Sequence, residues 1–153
     1  MLRSPRLALA PLAAALALAG CVAHPVGPAR TFSKYEGKAV TTAKSALSAV
    51  ETARLTAAAA SSGNSFGPYA ATVISEAEES ARGVRGTFAS VQPPGPRADA
   101  VSAQLASVLT ASVDDLTALR VAARRGELDR LGAIAAPLAQ DSDRLHAFID
   151  SHK

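Results

Sequence analysis

The chain reads as all-α: an antiparallel up-down-up-down four-helix bundle that follows a cleaved apolar leader. Three observations predict it. Apolar residues recur in alternating steps of three and four along four long segments, the spacing of one helix face. Short breakers rich in glycine and proline separate the segments, which suits helices that turn back on one another. Alanine, the best intrinsic helix former, dominates the composition, whereas aromatics are few and tryptophan is absent. Nothing alternates with period two over a useful length, so no sheet is expected.

The leader comes first. Arg3 and Arg6 make a short positive start, and an uncharged run from Leu7 to Leu18 follows. That run suits a secretory signal and is too short for a bilayer span, which needs about 20 residues. Pro11 within it argues further against a permanent membrane helix. Leu18-Ala19-Gly20-Cys21 then resembles the bacterial lipobox, an aliphatic residue and two small ones before a cysteine. The resemblance covers only this N-terminal segment. It implies residues 1–20 as a signal peptide, cleavage between Gly20 and Cys21, and diacylglycerol, with chains such as palmitate, on the Cys21 sulfur. Cys21 is also the only cysteine, which rules out an intrachain disulfide.

Residues 21–31 read as the lipidated cysteine and a flexible tether, because Pro25, Gly27 and Pro28 interrupt any periodicity. Residues 32–153 read as the bundle. The first helix, 32–61, carries Ala39, Ala43, Ala46, Val50, Ala53, Ala57 and Ala60, with Val40 and Leu47 widening the stripe. Gly63 to Pro68 supplies a stop and a turn, and Pro68 suits a first helical position.

The second helix, 68–91, follows Ala70, Ile74, Ala77, Ala81, Val84, Phe88 and Val91. Gly83 and Gly86 either weaken it or admit a close neighbour, and Pro93-Pro94-Gly95-Pro96 ends it. The third, 97–125, carries Leu105, Leu109, Leu116, Leu119 and Ala123, with Ser102 and Ser112 as small members and Gly126 as its cap. The fourth, 127–151, runs through Leu128, Leu131, Ala135, Leu138, Leu145 and Ile149. Pro137 denies the Ala133 carbonyl its usual partner, which predicts a kink. As a whole the domain resembles small helical lipoproteins of high-GC bacteria, a resemblance that carries no activity.

Charge narrows the partners. Loss of Arg3 and Arg6 with the leader leaves 14 basic residues against 13 acidic ones, a net charge of +1. A nearly neutral exported domain offers no broad footprint for nucleic acid.

Chemistry is sparse. A di-iron bundle needs Glu-x-x-His on two helices, and the nearest pattern is Asp143-Arg144-Leu145-His146 with Asp150, all on one helix. A solvated surface pair is the plainer reading, so no metal and no cofactor are expected. One cysteine excludes covalent haem, and no phosphate loop or Gly-x-Ser-x-Gly occurs. Glu76, Glu78 and Glu79 read as a solvated face rather than catalytic carboxylates. Asp115 adjoins the leucine stripe and reads as half of an ion pair across helices, with Arg54 as candidate partner. Arg120, Arg124 and Arg125 crowd the end of the third helix, either as compensation of its dipole or as a contact for a partner.

These features point to a monomeric, non-enzymatic lipid-anchored protein on the extracytoplasmic face of the cell membrane (the outer membrane if the source is Gram-negative). Its role would be that of a binding, spacer or adaptor module meeting another envelope protein or an anionic wall polymer. The alternative is a small-ligand carrier or sensor with a pocket between helices near Pro137, lined by Leu128, Leu131 and Leu138.

Overall fold

The computed structural model describes residues 29–152. The expected leader, the lipobox-like residues Leu18, Ala19, Gly20 and Cys21, and most of the expected tether lie outside the described residues. Within them the protein is all-helical and contains no strand. Five α-helices follow in order: α1 Phe32–Ser61, α2 Gly67–Ala89, α3 Pro96–Arg124, α4 Leu131–Ile134 and α5 Pro137–Ser151, with a 3-10 turn Leu128–Arg130 before α4.

Each boundary has a local cause. Thr31 caps α1 by accepting the Lys34 amide at 3.3 Å. At its other end Gly63 takes φ 76°, so the Gly63 amide reaches the Ala60 carbonyl and the Asn64 amide reaches that of Ala59. This pair of bonds is a Schellman cap. Gly126 repeats it after α3, with φ 74° and bonds from Gly126 to Ala123 and from Glu127 to Ala122. Pro68 and Pro96 occupy the starts of α2 and α3, where a missing N–H removes no helix bond.

The fourth predicted segment differs from expectation. In place of one kinked helix, the chain makes the 3-10 turn and α4, breaks at Ala135 and Ala136, and restarts at Pro137 as α5. Pro137 cannot donate to the Ala133 carbonyl, and the Ala136 amide takes that acceptor instead at 3.2 Å. Leu138 and Ala139 then bond three residues back to Ala135 and Ala136, which tightens the chain into a turn.

One core joins the elements. Every predicted seam residue of α1 is buried, from Ala39 to Ala60, and Ile74, Ala81, Leu105, Leu116, Leu131, Leu138 and Leu145 join them. The predicted stripe omits two large members, Tyr35 and Phe148, both fully buried. Tyr35 packs on Phe88 with ring centroids 5.8 Å apart, and the Arg97 guanidinium lies 4.3 Å over the Phe32 ring. Those contacts gather the start of α1, the end of α2 and the start of α3. At the other end of α1, Gly132 faces Ser61 and Gly67 faces Leu128. α1 packs against α2, α3 and α5, α2 against α3, and α3 against α5. No helix among the described residues is long and apolar enough to cross a membrane.

Candidate functional site

α1 rises about 45 Å at 1.5 Å per residue, and beyond its C-terminal end lies the turn that starts α2. Three large apolar side chains are exposed among the described residues: Leu55, Phe66 and Tyr69, at 70%, 68% and 55%. All three border one shallow groove of about 460 Å³, together with Thr56, Ala59, Asn64 and Ser65. The Phe66 and Tyr69 rings sit 5.9 Å apart and tilt 32° from each other. The local fold explains the exposure. Leu55 lies off the buried stripe that runs through Ala53 and Ala57, and Phe66 precedes α2 as its N-terminal cap residue.

The arginines near the end of α3 divide in two. Arg120 is partly buried and turns to Glu78 on α2, Nε to Oε2 3.5 Å. Arg124 and Arg125 are exposed at the end of α3, and Arg124 lines a dimple with Gly67, Pro68 and Ala71. Arg130, just beyond, pairs with Glu127 at 2.8 Å.

Of the three glutamates read as a solvated face, Glu76 and Glu79 are exposed, whereas Glu78 is buried. Its carboxylate faces Arg82, Arg120 and the Thr117 hydroxyl, the last at 2.9 Å. Glu78 follows Ala77 on the flank of the buried stripe, and basic groups converging from two helices make that burial tolerable.

A second polar cluster joins α1, α3 and α5. Ser142 donates to Glu51 at 2.5 Å, and Arg54 binds the same carboxylate at 2.6 Å. The Ser142 bond is the main reason that Glu51 ionises below its ordinary range; burial opposes it, and Arg54 and His146 add to it. Arg54 therefore pairs within its own helix, and the proposed Asp115–Arg54 bridge is not formed. The group that Asp115 meets is Asp141, 2% exposed on α5. Burial, and then the Asp115 charge, push Asp141 up to about 6, while Ser112 and Arg144 pull it down. Asp141 and Ser142 stand between Leu138 and Leu145 on the α5 stripe, a position where the helix period calls for apolar residues. That mismatch is the signal by which the cluster could have been found.

His146 is exposed, and His152 stacks on Phe148 with centroids 4.3 Å apart. No group of three or more His, Cys, Asp or Glu residues among those described could hold a metal ion.

The chain matches no protein-family model, no curated protein and no solved structure with which it was compared.

Proposed function

We propose that the protein is a lipid-anchored component of the bacterial cell envelope, a non-enzymatic antiparallel four-helix bundle that presents its distal tip to another envelope component. One observation carries the binding role: Leu55, Phe66 and Tyr69 stand exposed along a single groove. Contiguous exposed apolar surface marks interaction sites, whereas apolar residues scattered singly do not. Tyrosine and arginine are also frequent anchors of protein interfaces, and Arg124 borders the start of α2 beside Gly67 and Pro68, with the exposed Arg125 next to it in the chain.

The end contacts support the up-down-up-down order. Phe32 meets Arg97 and Tyr35 meets Phe88 at one end, while Gly67 meets Leu128 and Gly132 meets Ser61 at the other. In that order the groove lies a full helix length from residue 32, where the tether from Cys21 joins. The lipobox Leu18-Ala19-Gly20-Cys21 supports the anchor, and two acyl chains, each buried methylene contributing about 0.8 kcal/mol, suffice for stable attachment. The carrier reading is the weaker one: a pocket of about 250 Å³ does open between α1 and the break at Ala135 and Ala136, but Glu51, Arg54 and mostly small residues line it, while Leu131 and Leu138 are buried in the common core.

The test is site-specific photo-crosslinking in intact cells from a probe at Thr56, beside the groove. The proposal expects discrete adducts that disappear in the Phe66→Ser, Tyr69→Ser double variant. It expects them to weaken when Arg124 and Arg125 become Gln. Adducts unchanged in both variants, with the fold intact by circular dichroism, would remove the tip from the proposal.

A further inference from the structure

We infer that the carboxyl groups of Asp115 and Asp141 form a proton-operated latch between α3 and α5, which seats α5 when they share a proton and loosens it when both are ionised. The inference is independent of the lipid anchor and of the distal groove.

The geometry begins with an orphan. Asp141 lies in the first turns of α5, is 2% exposed, and its Oδ2 has no hydrogen-bond partner. An unpaired oxygen at such depth is costly, and more so when it is charged. α3 packs against α5, and from it the half-buried Asp115 acts on Asp141 by its charge and as a hydrogen-bonding neighbour, with Ser112 one turn earlier on the same helix. Ser112 is buried and already donates to the Val108 carbonyl at 3.0 Å. Two neighbouring carboxylates, one of them buried, repel when both are charged. A single proton between them turns that repulsion into an O–H···O hydrogen bond, as in other paired-carboxyl sites.

The other groups around the pair do not neutralise it. On α5 itself Arg144 acts on Asp141 only weakly, behind burial, Asp115 and Ser112. On α1 Glu51 is held by Ser142 and Arg54 and remains ionised over the same range, with His146 nearby. α4, Leu131–Ile134, carries no charged residue.

The fold also makes α5 separable. It follows the break at Ala135 and Ala136, which the backbone crosses through bonds to residues three back. A short helix joined through such a break can open without the rest of the molecule.

The direction follows from linkage. Asp141 takes up its proton near pH 6 in the seated state against 3.8 for a free aspartate, so the seated state holds the proton more tightly. Its advantage is complete below the free value and is lost as the pH rises through the seated one. Between pH 5.0 and 7.5 the seating equilibrium should weaken about tenfold.

Amide hydrogen exchange on the purified full-length chain, expressed as protection factors corrected for intrinsic exchange, reads this directly. In the wild type, protection across residues 138–151 should fall about tenfold from pH 5.0 to 7.5, while that of α2 holds. Imidazoles ordinarily titrate in this window as well. Asp141→Asn keeps both His146 and His152 but should lose the pH dependence. Asp115→Asn, whose amide can donate to Asp141, should raise protection of α5 at pH 7.5 and reduce the fall. Wild-type protection that is flat or rises with pH overturns the latch. So does a tenfold fall that persists in Asp141→Asn or, should that variant fail to fold, in Asp115→Asn.

Discussion

Glu78 shows how much depends on one residue's place around a helix. It is 6% exposed and ties α2 to α3 through Arg120 and Thr117, whereas Glu76 and Glu79 on the same turn face solvent. Replacing Glu78 by Ala would strand the partly buried Arg120 and remove an acceptor from Thr117, so a loss of about 1–3 kcal/mol is expected. The same change at Glu79 should stay within about 0.5 kcal/mol. Urea denaturation of the two variants makes the comparison, and equal midpoints would mean that the buried pair contributes nothing. The difference was not legible beforehand, because three glutamates within four positions look like one charged face until the partner helix is in place. Asp115 has the same lesson with the opposite sign: its neighbour across the interface is an acid. An aspartate beside a leucine stripe announces a contact without revealing the charge of the other party.

At the scale of elements, α1, α2 and α3 were readable to within about two residues of their ends. Their boundaries are set by local chemistry, by a glycine at positive φ or a proline in the first turn, and such chemistry is written in adjacent residues. The fourth segment was not readable as a single helix, since whether Pro137 bends a helix or ends it depends on what the freed Ala133 carbonyl finds.

Glycines test this division. A Cβ on Gly83 or Gly86 would meet nothing within 4 Å, so neither supplies a close helix contact. Changing either to Ala should therefore stabilise the protein by about 0.5–1 kcal/mol. Gly126→Ala should do the reverse by about 1 kcal/mol or more, because φ 74° disfavours a side chain. Thermal melts of the three variants decide it; a destabilised Gly83→Ala would show that the helix surface there has a neighbour.

For the whole molecule, the helical class and most of the core followed from the period of the apolar residues, which needs no knowledge of long-range partners. The groove did not. Leu55, Phe66 and Tyr69 are far apart by the measure of helix faces, and only the turn after Ser61 brings them to one place. The proposed anchor, by contrast, rests on adjacent residues alone, and it determines where every other feature would act. It predicts that a weakly charged helical domain is held at a membrane by a single sulfur atom.

Fractionation of cells expressing the wild type and Cys21→Ser, with the intact mass of each product, tests that prediction most directly. The wild type should be found in the membrane fraction as a chain beginning at Cys21 and heavier than its peptide by diacylglycerol or more. Cys21→Ser should remain an uncleaved precursor or appear as a soluble chain without added lipid. Membrane retention of Cys21→Ser after removal of residues 1–20 would contradict the lipid anchor.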